Sequence, residues 1–498
     1  MKKSKFTLDE ANRFVETNKH KVNRKYRHHY HVMAPIGWIN DPNGFVYFQD
    51  EYHLFFQYYP YDSQWGPMHW GHVKSKDLIH WEELPIALVP DQPYDKDGCF
   101  SGSAIEKDGK LYLMYTGHVE KENKTYQTQC IAISEDGIHF DKVAQNPVID
   151  AKLLKGHGNI HDFRDPKVFQ RENKYYSVVA SKNELNHGQI LLFESNDLIS
   201  WSFTSILLEG DETQGIMWEC PDLFYLDGKD VLIMSPIQIP KKGLSYHNVS
   251  STVAFIGEVD WETGKFQVEN YHEIDFGLDF YAPQTLEDDQ HRRIMIAWMQ
   301  MWHRTLPTHD LDHKWAGAMS LPRELRVKEN RLVQKPISMV YTNLEYQYGF
   351  ENVTVGQTPV YLRQVVHDNT YVHLVADLSQ ATSLDIQFAK NIHESLQLHY
   401  DVATEIFTLS REDVGYSITG TEKDVLVQRQ VHVPLVNQQL VLEIFRDTSS
   451  IELFINALET MTMTFYEIEA GNDIVFSSEG NATISSIEIG QVRETVNY

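Results

Sequence analysis

The sequence predicts an all-β protein: a closed ring of about five four-stranded blades, then a β-sandwich, with one short helix in front. Three observations carry this. Ser75-Lys76-Asp77-Leu78-Ile79-His80-Trp81 recurs as Ser134-Glu135-Asp136-Gly137-Ile138-His139-Phe140 and as Ser195-Asn196-Asp197-Leu198-Ile199-Ser200-Trp201, with a looser copy from Glu258-Val259-Asp260 to Gly264-Lys265-Phe266. A turn closing on an aromatic at fixed period is the mark of stacked β units that hide their apolar faces against one another. Around these turns run short apolar segments cut by Asp, Asn and Gly, such as His53-Leu54-Phe55-Phe56-Gln57 and Tyr175-Tyr176-Ser177-Val178-Val179, which is antiparallel strand texture. Beyond residue 335 the Trp/Asp/Gly turns stop while alternation persists.

The elements follow in order. Residues 1–29 form an N-terminal helical segment: Thr7 to Val22 is polar, lacks Pro and Gly, and opens with Thr7-Leu8-Asp9-Glu10, a helix start with acids in its first turn. Residues 30–335 hold the ring, 336–349 read as a linker around Pro336, and 350–498 as the sandwich, with strands such as Tyr371-Val372-His373-Leu374-Val375 and Leu440-Val441-Leu442-Glu443-Ile444-Phe445. At 498 residues the chain exceeds what one core accommodates.

A net charge of −26 disfavours general affinity for nucleic acid or an anionic membrane, since both are driven by counter-charge. No apolar run approaches the roughly 20 residues a membrane helix needs. Cys99, Cys130 and Cys220 are too few and odd in number for a disulfide framework, and the basic start Met1-Lys2-Lys3-Ser4-Lys5 has no apolar signal segment behind it; the expectation is a cytoplasmic protein. Nothing in the sequence specifies an oligomeric state.

Chemistry is concentrated in three acidic cassettes, Trp38-Ile39-Asn40-Asp41-Pro42-Asn43-Gly44, Arg164-Asp165-Pro166 and Trp218-Glu219-Cys220-Pro221-Asp222. Asp41 and Asp165 each precede proline, which biases them to extended backbone at strand ends or turns. Singly, each cassette reads as a turn or a local ion pair. Jointly they supply the rigid carboxylates that glycoside hydrolysis requires on either side of one bond. Metal sites at His309-Asp310-Leu311-Asp312-His313 or at His28, His29 and His31 lack a recognised ligand spacing, and carboxylate-driven cleavage needs no ion, so neither metal nor cofactor is expected.

Together with Phe100-Ser101-Gly102-Ser103 and Leu321-Pro322-Arg323-Glu324-Leu325, these motifs resemble, in the same order, the β-fructofuranosidases of glycoside hydrolase family 32, which include invertases, fructan hydrolases and sucrose-6-phosphate hydrolases. The resemblance implies a five-bladed β-propeller followed by a β-sandwich, and a retaining mechanism. Asp41 is then the nucleophile, Glu219 the acid and base, and Asp165 a third carboxylate that binds fructose hydroxyls and stabilises positive charge, with Arg164 favouring its ionised form. Trp38, Ile39, Asn40, Gln57, Trp65, Phe100, Ser101, Arg164 and Trp298 are the implied substrate-binding residues, and Cys220 is expected to be a small packed residue. The implied substrate is a small sugar, sucrose 6-phosphate, with sucrose and short fructo-oligosaccharides beside it; Arg304 and Lys314, in the segment after Trp298, are the candidates for a phosphate partner. A fructo-oligosaccharide hydrolase or transfructosylase without phosphate preference is the alternative within the class; a noncatalytic carbohydrate-binding protein is the alternative outside it.

Overall fold

The computed structural model describes residues 6–422 and 425–496. Its helix spans Leu8–Asn18 and continues as a 3₁₀ turn over Lys19–Lys21. Thr7 caps it, accepting from the Glu10 amide at 3.3 Å while its own hydroxyl donates to Glu10 Oε2 at 2.8 Å. Ala11 and Val15 are its buried face, and Asn12 accepts from the amide of Ile86, so the helix docks on the outside of the first blade. No helix among the described residues is long and apolar enough to cross a membrane.

Five sheets form the blades, with axis-lining strands Gly37–Phe48, Gly98–Lys107, Phe163–Arg171, Met217–Leu226 and Tyr281–Glu287 in blades I to V; all are antiparallel except that Trp315–Ala316 adds a short parallel pairing to the start of Gly37–Phe48. The repeat seen in the sequence is the turn between the third and fourth strands. In blade I the Leu78 amide donates to Ser75 Oγ and those of Ile79 and His80 to Asp77 Oδ1; Ser134 and Asp136, then Ser195 and Asp197, do the same in blades II and III. The residue after each aspartate, Leu78, Gly137 or Leu198, sits at φ between 68° and 73°, which explains a glycine in one copy. Trp81 and Trp201 then donate their indole N–H to the carbonyls of Leu78 and Leu198. Blade IV keeps a looser version, with Asp260 accepting from the amides of Glu262 and Thr263.

Every axis-lining strand breaks register with its neighbour at one level, between Ile39 and Pro42, Phe100 and Gly102, Arg164 and Lys167, Glu219 and Asp222, and Tyr281 and Gln284. Four of these bulges hold a proline, at 42, 166, 221 and 283, and the fifth holds Gly102. Proline has no N–H to offer a ladder, so a bulge is where a central strand accommodates it. Asp165, Cys220 and Ala282 reach φ of 65°, 50° and 52° there, a left-handed geometry that re-aims the chain at the propeller axis.

A one-turn helix, Ser338–Thr342, leads to two packed six-stranded sheets. Their first strand, Leu344–Val355, begins inside the 336–349 stretch read as linker. It is an edge strand with side chains exposed on both faces, Tyr346 and Tyr348 among them, so it lacks the alternation that marks a half-buried strand. The sandwich core packs Leu374, Ile444 and Ile487 of one sheet against Ile386, Leu398 and Phe476 of the other.

A buried ion cluster ties the sandwich to both ends of the ring. His31, ahead of blade I, holds Asp447 Oδ2 through Nδ1 and Glu452 Oε1 through Nε2, each at 2.8 Å; Glu452 also binds Arg323 of blade V, which reaches Asp275 at 3.0 Å. With a carboxylate on each nitrogen the ring must carry both protons, and its pKa rises to about 9 because these partners outweigh burial. His28, His31 and Asp447 are close enough to share a metal ion, but both His31 nitrogens are already engaged, and His28 Nε2 faces Ser449 Oγ at 2.9 Å. His309 faces Ser63 and His313 stacks on Tyr26, so the other candidate metal cluster does not assemble. Replacing His31 by Leu is expected to cost about 3–5 kcal/mol in denaturant unfolding, because two buried carboxylates lose their cation. Since the folded pKa lies above the ordinary 6.5, this contribution is full below about pH 6.5 and fades as pH rises through about 9; the gap between wild type and variant therefore narrows between these values.

Candidate active site

The five bulges put three successive rings of side chains around one end of the axis. The outermost holds Asn40, Phe100, Arg164, Glu219 and Tyr281, and the next Asp41, Ser101, Asp165, Cys220 and Ala282. The third, one residue past the proline or Gly102, holds Asn43, Ser103, Lys167, Asp222 and Gln284. The third ring is a polar seal. Ser103 Oγ donates to the Pro166 carbonyl at 2.7 Å and accepts from the Val168 amide, Lys167 reaches Asp222 at 3.1 Å and the Thr285 carbonyl at 2.5 Å, and Gln284 Nε2 donates to the Gly102 carbonyl at 2.9 Å, crossing between non-adjacent blades.

Above this seal sit the three acids of the cassettes. Asp41 accepts from Ser101 Oγ at 2.6 Å on Oδ2 and from Asn40 Nδ2 at 3.0 Å on Oδ1. Asn40 is itself oriented by the Trp38 indole N–H at 2.8 Å. Asp165 accepts from the Cys220 amide at 3.0 Å. Glu219 is clamped on both oxygens, Oε1 by Arg164 Nε and Nη2 at 3.0 and 2.9 Å and Oε2 by the Tyr281 hydroxyl at 2.6 Å. Burial raises Asp41, opposed by its donors Ser101 and Asn40 and reinforced by the charge of Glu219. Asp165 is pushed up to about 7, by burial first, with Arg164 opposing and the charges of Glu219 and Asp41 adding to it. Burial thus outweighs the arginine expected to keep Asp165 ionised, whose guanidinium turns to Glu219 instead. Cys220, expected as packing, places Sγ 3.4 Å from Asp41 and 3.6 Å from Asp165; burial and these anions raise its pKa, so it remains a thiol and a donor.

Other expected residues divide. Phe100 stacks on His118 at 4.0 Å, and Trp65, 44% exposed, stands edge-on to Phe100 at the rim. Gln57 is buried, with Nε2 spent on Asn43 Oδ1 and the Cys99 carbonyl. Ile39 is fully buried in the blade I core, because alternation along the strand turns it away from the side Asn40 faces. Trp298 is likewise fully buried, edge-on to Trp38 and Trp302. Arg304 is buried against Asp279 and the Leu278 carbonyl, so it does not stand free for a phosphate, and Lys314, in an exposed pair with Asp312, lies beside the start of blade I. Sequence reasoning passed over Tyr281. Its signal was the cassette itself: Tyr281-Ala282-Pro283 follows Asn40-Asp41-Pro42, Arg164-Asp165-Pro166 and Glu219-Cys220-Pro221 as a fourth copy, without an acid to draw notice.

Three carboxyls in one axial well, one of them clamped by arginine and tyrosine, define the site of a glycoside hydrolase. The chain matches Glycosyl hydrolases family 32 N-terminal domain over residues 31–336 and Glycosyl hydrolases family 32 C terminal over residues 342–491. It is 37% identical over 445 residues to a sucrose-6-phosphate hydrolase of Escherichia coli, covering 86% of each chain. A family 32 β-fructofuranosidase of Bombyx mori superposes with a TM-score of 0.83 at 33% identity and 99% coverage of both chains. A sucrose-6-phosphate hydrolase of Lactobacillus gasseri gives 0.86 at 27% identity, covering 99% of this chain and 100% of that one. The protein belongs to glycosyl hydrolase family 32.

Proposed function

We propose that Asp41 is the nucleophile, Glu219 the acid and base, and Asp165 the transition-state stabiliser of a retaining β-fructofuranosidase. The enzyme removes a terminal β-D-fructofuranosyl unit from a small sugar by double displacement. The observation that carries the assignment is the difference between the acids: Asp41 is held by hydroxyl, amide and thiol donors that favour a fixed carboxylate, whereas Glu219 meets the Tyr281 hydroxyl, which has a second acceptor within reach. That hydroxyl also lies 3.1 Å from the Ser235 carbonyl. It can donate to ionised Glu219, or rotate to Ser235 and accept from the protonated acid, which serves a group that gives a proton in the first step and takes one from water in the second. Attack by Asp41 on the anomeric carbon breaks the glycosidic bond as Glu219 protonates the departing oxygen; water, deprotonated by Glu219, then releases fructose with retained configuration.

Asp165 must be ionised to accept from fructose hydroxyls and face developing positive charge. With its pKa near 7, kcat/KM is expected to fall as pH drops through about 7, and a profile flat down to pH 5 would remove Asp165 from this role. For the substrate we assign sucrose 6-phosphate, with sucrose and short fructo-oligosaccharides as weaker ones, and a cytoplasmic setting. The bacterial relatives support the substrate, the Escherichia coli and Lactobacillus gasseri proteins being sucrose-6-phosphate hydrolases. Comparison of kcat/KM for sucrose 6-phosphate, sucrose and a short fructan tests it; a higher value for sucrose than for its phosphate would move the enzyme to the invertases.

A further inference from the structure

If the leaving group carries a phosphate, a cation must meet it on the Glu219 side of the well, since Glu219 protonates the bond to that group. Arg304 is buried against Asp279, and Lys314, whose carbonyl accepts from the Gly37 amide, stands beside blade I and not on the Glu219 side, so the cation must be another. Glu219 leads outward along a chain of charges: Arg164 Nη1 lies 3.3 Å from Asp162 Oδ1, and Lys182 Nζ lies 2.9 Å from Asp162 Oδ2. Lys182 ends the second strand of blade III, where Ser181 pairs with Phe163 next to Arg164, so register places it at the same end of the propeller as the carboxylates. It is separated from Glu219 by one guanidinium and one carboxylate.

Lys182 faces an open hollow of about 430 Å³ at the mouth of blade III, lined also by His157, Asn159, His161, Asn183 and Gln189. Gln189 is 1% exposed, and its Oε1 has no hydrogen-bond partner while its Nε2 donates to the His157 carbonyl at 2.7 Å. A cation at the edge of an open hollow suits a ligand that brings an anion. Glu184 and Glu209 on the rim oppose an anion, but both are exposed and Glu209 is held by Asn183 Nδ2 at 2.6 Å, so solvent screens them more than it does Lys182. Asp162 does not cancel Lys182, because it is shared with Arg164. With Glu219 protonated for catalysis, the string of Arg164, Asp162 and Lys182 carries one net positive charge.

We propose that this hollow is the leaving-group subsite, with Lys182 the residue that recognises the phosphate of a phosphorylated hexose. This rests on the reading that sucrose 6-phosphate is preferred. A charge-assisted contact of this kind is worth about 10- to 100-fold. In the full-length enzyme, Lys182→Met is expected to lower the ratio of kcat/KM for sucrose 6-phosphate to that for sucrose by this factor. It should weaken competitive inhibition by glucose 6-phosphate to a similar extent, and Lys182→Arg should restore much of both. Glu184→Lys, at an exposed position, is expected to raise the ratio, and it guards against a Lys182 variant that fails to fold. If wild type prefers sucrose 6-phosphate while both the Lys182→Met and Glu184→Lys ratios match it, the phosphate is held elsewhere and the subsite is overturned although the substrate stands. If wild type shows no preference for the phosphate, substrate and subsite fall together.

Discussion

Replacing Asp41 by Asn or Ala is expected to lower kcat on every fructofuranoside at least about 10⁴-fold while leaving the protein folded, because it deletes the atom that forms the covalent intermediate and not a packing contact. The Asn variant is the cleaner of the two. It keeps partners for Ser101 and Asn40, and it removes a buried carboxylate whose pKa is raised by burial, so its thermal unfolding should lie at or above that of wild type. Activity within about 100-fold of wild type, after exclusion of contaminating enzyme, would reassign the nucleophile.

Glu219→Ala is expected to lower kcat on sucrose by about 10³-fold, within the range of lost general acid–base catalysis. Its effect should depend on the leaving group. A fructoside whose leaving group departs without protonation still fructosylates Asp41, then stalls, since no base activates water; a burst followed by slow turnover is the expected trace, and added azide should speed that second phase. Equal losses on ordinary and activated substrates, with no burst, would sink Glu219 as the acid. Tyr281→Phe removes the hydroxyl that follows the Glu219 proton and should act more weakly on kcat, without changing the leaving-group dependence.

The fold class was legible because its devices are local. The Ser-x-Asp turn is held by side chains binding amides two or three residues away, so it recurs as a short string, and proline at a bulge is a backbone requirement visible in one residue. What the sequence hid is what depends on other blades. Arg164 stands beside Asp165 in the chain, which suggested a pair, yet successive strand residues diverge and its guanidinium crosses to Glu219 of the next blade. Arg304 looked like a free cation because Asp279, its buried partner, is distant in sequence. Ile39 and Trp298 carry the right chemistry for a sugar wall, but the face each presents is fixed by strand packing. Cys220 lies between two carboxylates only because three bulges converge.

The seal beneath the carboxylates also limits which bonds of a polymer the enzyme can reach. With Lys167, Asp222, Ser103 and Gln284 bonded across the axis, a chain cannot thread the ring, and only a residue with nothing beyond it fits the bottom of the well. Such an enzyme counts molecules, not linkages. At equal mass of fructan, its initial rate should scale with the number of fructosyl ends and fall as chains lengthen, free fructose should appear from the first turnover, and the mean length of the remaining polymer should shrink gradually, without the sudden loss of viscosity that internal cuts produce.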